Sequence, residues 1–198
     1  TNGGDMSKQP KSLTNLHFFL GGARSGKSRL ALASAQQIAS SSGASLVFIA
    51  TATANDEEMR KRIEKHQAER VSTNGENPWA LVEEPLHLAR SLLQNDGRGK
   101  VIVVDCLTLW ISNCLHHNVW DKHQEELLNC LEQLKSEVVF VSNETGLGIV
   151  PMGELTRQYV DASGFFHQRL AQHCAHVVFT VAGLPHILKD ERQLKDSV

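Results

Sequence analysis

The chain has 198 residues, 41% of them hydrophobic and 21% charged, with a formal net charge of −2. That is room for one domain with a real core, and too little for two. The balance gives no reason to expect a nucleic-acid surface or a polybasic membrane patch, and the strand-sized apolar runs exclude a bilayer span. Residues 1–15 are polar, carry Gly3-Gly4 and Pro10, and read as a disordered leader ahead of a single α/β domain over 16–198. Folded structure is expected to begin near Leu16. Leu16-His17-Phe18-Phe19-Leu20 is an apolar run of buried-strand length that leads into Gly21-Gly22-Ala23-Arg24-Ser25-Gly26-Lys27-Ser28. A helical pattern follows from Arg29 to about Ser40, ended by Ser40-Ser41-Ser42-Gly43.

Strand, G-x-x-x-x-G-K-S and helix in that order make a phosphate-binding P-loop. The glycines let backbone N–H groups turn inward onto phosphate oxygens, and the helix start adds its positive dipole end. Lys27 is then expected on the β- and γ-phosphates, and the Ser28 hydroxyl on Mg²⁺.

Leu46 to Ala50 reads as the second strand, and its polar exit Thr51-Ala52-Thr53 is expected beside the nucleotide, because strand carboxyl ends face the ligand crevice in open α/β sheets. Asp56 to Arg70 is a charged helical stretch with Met59, Ile63 and His66 on one face. Trp79 to Val82 is a short extended segment, and Leu86 to about Leu93 a helix broken by Asn95-Asp96-Gly97. Val101-Ile102-Val103-Val104-Asp105 is an apolar run ending in a carboxylate, the Walker B pattern in which the acid holds Mg²⁺ directly or through water. Two helices, Leu107–His117 and His123–Leu134, precede a strand at Glu137–Val141 and the glycine-rich loop Ser142 to Pro151. Gly153 to His173 reads as a long helix and Val177 to Val181 as the last strand. This alternation predicts a mainly parallel sheet with helices on both faces. Cys106, Cys114, Cys130 and Cys174 form no C-x-x-C pair and read as buried thiols of a reducing, cytoplasmic compartment. His116-His117 and His173/His176 lack partners at metal spacing, so no structural zinc is expected.

The P-loop leaves the reaction open. No N-K-x-D tetrapeptide marks a guanine-nucleotide switch, and Asp161-Ala162-Ser163-Gly164 matches D-x-x-G only inside a helical stretch. A helicase or motor ATPase needs more chain, which favours a small-molecule kinase or transferase. His66 alone reads as the end of an apolar helix face as readily as a reactive group.

Taken in order, Gly21 to Ser28, Phe48-Ile49-Ala50-Thr51-Ala52, Asp56-Glu57-Glu58-Met59 with Arg62-Ile63 and His66, Trp79 and Glu83, Asn143-Glu144-Thr145-Gly146-Leu147-Gly148-Ile149-Val150-Pro151, and Gln168-Arg169-Leu170-Ala171 carry a resemblance. The chain resembles the bifunctional adenosylcobinamide kinase/adenosylcobinamide-phosphate guanylyltransferase family from Leu16 to Lys189. The resemblance implies that a nucleoside triphosphate phosphorylates adenosylcobinamide, after which GMP passes from GTP through a guanylylated histidine, here His66, with release of pyrophosphate. It further implies guanine-nucleotide contacts at Ala50, Thr51 and Ala52 and at Gln67, Ala68, Glu69 and Arg70, an acidic contact at Glu83, ATP or GTP as kinase donor, and a trimeric homo-oligomer. It leaves Glu144, Arg157, His167 and Arg169 without assigned roles. Asp105 stands where some relatives carry Glu, His167 where some carry Asn, and the segment from Arg70 to Trp79 is longer than usual. A monofunctional kinase with a structural His66, and a nucleotide-sensing regulatory module, are the competing readings.

Overall fold

The computed structural model describes residues 11–52 and 78–191. Seven strands form one sheet: β1 (Leu13–Gly21), β2 (Ser45–Ala50), β3 (Trp79–Glu83), β4 (Lys100–Asp105), β5 (Glu137–Asn143), β6 (Cys174–Val181) and β7 (Leu184–Asp190). Their order is β3-β2-β4-β5-β1-β6-β7, parallel throughout except for the antiparallel β6–β7 hairpin at one edge. The described helices are α1 (Lys27–Ser42), α2 (Leu88–Asn95), α3 (Leu107–His116), α4 (Trp120–Cys130) and α5 (Glu154–His173), with a 3₁₀ turn at Leu131–Gln133.

Strand periodicity sorts the core into two layers. Leu16, Phe18, Leu20, Ile49, Ile102, Val104 and Phe140 face α2 to α5, where Trp110, Ile111, Leu127 and Phe166 close over them. Phe19, Phe48, Val101, Val103, Val139 and Val141 face α1, whose Ala31, Ala35 and Ala39 recur at i+4 and let it lie close to the sheet. Helices therefore cover both faces, as expected. Gly43, in the left-handed region at φ 68, ends α1 with its N–H on the Ala39 carbonyl.

Two expectations are corrected. Among the described residues, regular structure begins at Leu13, ahead of Leu16: Leu13 pairs with Cys174, and Asn15 Nδ2 donates to the Leu134 and Ser136 carbonyls at 3.1 and 2.8 Å. Val177–Val181 is not the last strand, because the chain turns back through Ala182-Gly183 into β7. No described helix is long and apolar enough to cross a membrane.

Candidate active site

The P-loop begins where β1 ends. Gly26 sits at φ 91 and Arg24 at φ 57, both left-handed, and the turn is closed by the Ser25 N–H on the Gly22 carbonyl at 3.3 Å. No side chain caps α1. Lys27, its first residue, is buried and donates from Nζ to the Gly22 carbonyl at 3.2 Å, which folds the ammonium back over the loop. Ala23 and Arg24 are exposed and Ser28 is half-buried.

The β6–β7 hairpin braces this loop from outside. Gly183 N–H donates to the Ser25 carbonyl at 2.7 Å, and Arg29 Nη2 donates to the Gly183 carbonyl at 3.3 Å. A Cβ on Gly26 would stand 3.1 Å from Gly183 Cα, and one on Gly21 would stand 2.8 Å from the Thr180 carbonyl oxygen and collide with Ser25 Oγ. Glycine is thus required at 21 by the close approach of Thr180 and Ser25, and favoured at 26 by its left-handed backbone together with the tight approach of Gly183.

The sheet register lines up the other expected groups. Ala50 pairs with Glu83 on one side and Asp105 on the other, so the tips of β3, β2 and β4 lie level. Ala50, Thr51 and Ala52 are buried. The Thr51 hydroxyl donates to the Cys106 carbonyl at 2.6 Å and accepts from the Cys106 N–H at 3.0 Å, while Asn113 Nδ2 donates to the Thr51 carbonyl at 3.1 Å. Thr51 therefore fastens the exit of β2 to the exit of β4, and its hydroxyl is engaged there. Glu83 is exposed, whereas its neighbour Glu84 accepts the Leu86 and His87 N–H groups at 2.9 and 2.7 Å.

Asp105 is half-buried at the end of β4. The adjoining Cys106 thiol is pushed up to about 11, first by burial and then by the Asp105 carboxylate, with Lys27 pulling the other way. One thiol thus senses both the P-loop lysine and the strand-end acid, and the two belong to one electrostatic neighbourhood. The tip of β5 lies between them in the strand order. There Asn143 N–H donates to Thr108 Oγ1 at 2.8 Å and Glu144 N–H to the Gly21 carbonyl at 3.0 Å.

His66, Gln67, Ala68, Glu69 and Arg70, and the helix expected over Asp56 to Arg70, lie outside the described residues. The four residues without assigned roles have structural ones. Glu144 Oε1 accepts the Gly146 N–H at 2.5 Å and orders its own loop. Arg157 donates to the Pro151 and Met152 carbonyls. Arg169 pairs with Glu125 at 2.5 and 3.1 Å. His167 is buried against Phe18. The hairpin brace is the functional feature that sequence reasoning missed, and Gly183 was its only local signal. Among the described residues, no cluster of three His, Cys, Asp or Glu side chains could hold a metal.

Comparison with known proteins bears on this rim. The sequence model of the cobinamide kinase/cobinamide phosphate guanyltransferase family matches residues 17–188. The chain is 49% identical over 175 residues to the bifunctional adenosylcobalamin biosynthesis protein CobP of Pseudomonas aeruginosa, covering 87% of this chain and 96% of that one. It is 33% identical over 180 residues to CobU of Escherichia coli, described in the same words, covering 83% and 94%. Among solved structures, a KaiC-like protein from Pyrococcus horikoshii aligns with a TM-score of 0.45 at 14% identity, over 85% of this chain and 72% of that one, a likeness too distant to bear on activity. The match to the family spans almost all of the described sheet together with the P-loop, and the chain belongs to the cobinamide kinase/cobinamide phosphate guanyltransferase family.

Proposed function

We propose that the chain phosphorylates adenosylcobinamide with ATP or GTP, and then transfers GMP from GTP to the phosphate through a guanylyl-His66 intermediate. The observation that carries this reading is the rim on which a braced P-loop, Lys27, Asp105 and the β5 tip converge. In the first reaction the acceptor hydroxyl oxygen bonds to the γ-phosphorus, the bond from γ-phosphorus to the bridging oxygen breaks, and the nucleoside diphosphate leaves as the hydroxyl loses its proton. In this reading the backbone N–H groups of Gly22 to Ser28 and the Lys27 ammonium take up charge on the phosphates.

The second reaction runs at the α-phosphorus. A neutral imidazole is available near pH 7, since the ordinary histidine value is about 6.5. His66 nitrogen bonds to the α-phosphorus and pyrophosphate leaves. A phosphate oxygen of adenosylcobinamide phosphate then attacks the same phosphorus, the P–N bond breaks and the imidazole is regenerated. Ala50 to Ala52, Gln67 to Arg70 and Glu83 make up the guanine side of the reading. The Ser28 hydroxyl and Asp105 carboxylate are hard oxygen donors of the kind that suits Mg²⁺. When bound, that ion supplies charge neutralisation on the phosphates. A homotrimer belongs to the same reading.

GTP labelled at the α-phosphate tests the histidine step. Wild-type protein is expected to acquire acid-labile, alkali-stable label, and His66→Ala to acquire none. Equal labelling of the two proteins removes His66 from the mechanism, and an unlabelled wild type removes the covalent step.

A further inference from the structure

The loop from β5 to α5 and the first turn of α5 direct large apolar side chains into water. Ile149 is 97% and Met152 94% exposed, and Leu147, Val150 and Leu155 are also largely exposed. Single exposed apolar residues are ordinary, but a run of five within one short segment marks an interaction surface. The backbone of this loop is held at both ends. Glu144 N–H is bonded to the Gly21 carbonyl at 3.0 Å and its carboxylate to the Gly146 N–H at 2.5 Å. At the other end the Arg157 guanidinium donates to the carbonyls of Pro151, at 3.2 Å, and Met152. The apolar side chains are thus presented by a fastened loop and are not the leftovers of a loose one.

That fastening also fixes where the surface lies. Gly21 opens the P-loop, Glu144 is bonded to it, and the apolar run starts at Leu147. We infer that Leu147, Ile149, Val150 and Met152 form the surface on which the corrin ring of cobinamide rests during both reactions. The inference builds on the function proposed above and adds to it the part of the chain that recognises the acceptor. A corrin is a broad macrocycle with methyl groups on its faces and rim, and its reacting hydroxyl stands at the end of one side chain. With that hydroxyl at a P-loop phosphate, the ring lies within one side chain's reach of the loop, against apolar groups that match its methyls. Branched Leu, Ile and Val supply shape, and the unbranched Met adapts to an irregular outline.

Cobinamide absorbs visible light, so equilibrium dialysis of the full chain measures its binding directly. Ile149→Asp and Met152→Asp are each expected to weaken cobinamide binding at least tenfold and to raise the KM for cobinamide. The KM for GTP and the melting temperature are expected to stay near wild-type values. Ile149→Leu is expected to bind as wild type does. Wild-type cobinamide affinity in the Ile149→Asp/Met152→Asp double variant overturns the inference alone. That result accompanied by a changed sedimentation coefficient overturns it in favour of contact between copies of the chain. A wild-type protein that binds no cobinamide overturns the proposed function as well.

Discussion

His167 shows how far one side chain's role depends on partners remote in sequence. It points inward from α5, its ring 5.4 Å from that of Phe18, and its Nε2 shares a 2.8 Å hydrogen bond with Ser142 Oγ. Burial drives the imidazole down to about 4. The unfolded chain takes up this proton near pH 6.5 and the folded chain only near 4, so the group's contribution to stability is whole above 6.5 and is lost as pH falls to 4. Urea unfolding is expected to show a loss of about 2 kcal/mol from this site between pH 7 and pH 5. His167→Asn should flatten the pH dependence by that amount, and an equal slope in both proteins would refute the assignment. Arg169 has a similar lesson: its partner Glu125 lies 44 residues away in sequence. That pair is largely solvent-facing and contributes little to stability. The P-loop was legible because strand, glycines, lysine and helix are consecutive, whereas the partners of His167 and Arg169 meet only through the fold.

At the scale of elements, the β6–β7 hairpin was the hardest to see. Leu184-Pro185-His186-Ile187-Leu188-Lys189-Asp190 has no clean alternation, and its proline argues against a central strand. Such a segment is admissible only at an edge, and β7 is an edge. The parallel strands, by contrast, are continuous apolar runs buried on both faces and could be read directly. The hairpin's two-residue turn holds Ala182 at φ 52 and Gly183 at φ 77, the signature of a type I′ turn. Alanine is a poor occupant of the left-handed region, where it costs about 1 kcal/mol, and Asn-Gly is the favoured pair. Ala182→Asn is therefore expected to stabilise the protein by ~0.5–1 kcal/mol, read as a rise of about 2 °C in melting temperature. A fall would show that something other than backbone preference governs the position.

Over the whole molecule, the strand order separates the P-loop strand β1 from the acid-bearing strand β4 by β5 alone. The sequence supplied both strand ends but not this interposition, because order within a sheet is a property of long-range pairing. A nucleotide held across these tips stabilises the folded state by mass action, and free GTP at 100 times its Kd adds about 2.7 kcal/mol. Differential scanning calorimetry is expected to show a corresponding upward shift in wild type and little or none in Lys27→Ala. A full shift in that variant would place the phosphates elsewhere. The brace on the P-loop has a consequence for the order in which the site is made. Ser25 and Arg29 are bound by Gly183, and Arg29 and Gly183 are 154 residues apart. Both neighbours of β1, the strands β5 and β6, likewise come from the second half of the chain. A ribosome therefore releases the phosphate-binding sequence long before the groups that hold it in shape. Until β5, β6 and Gly183 have emerged, the nascent chain carries the motif without the neighbours that brace it.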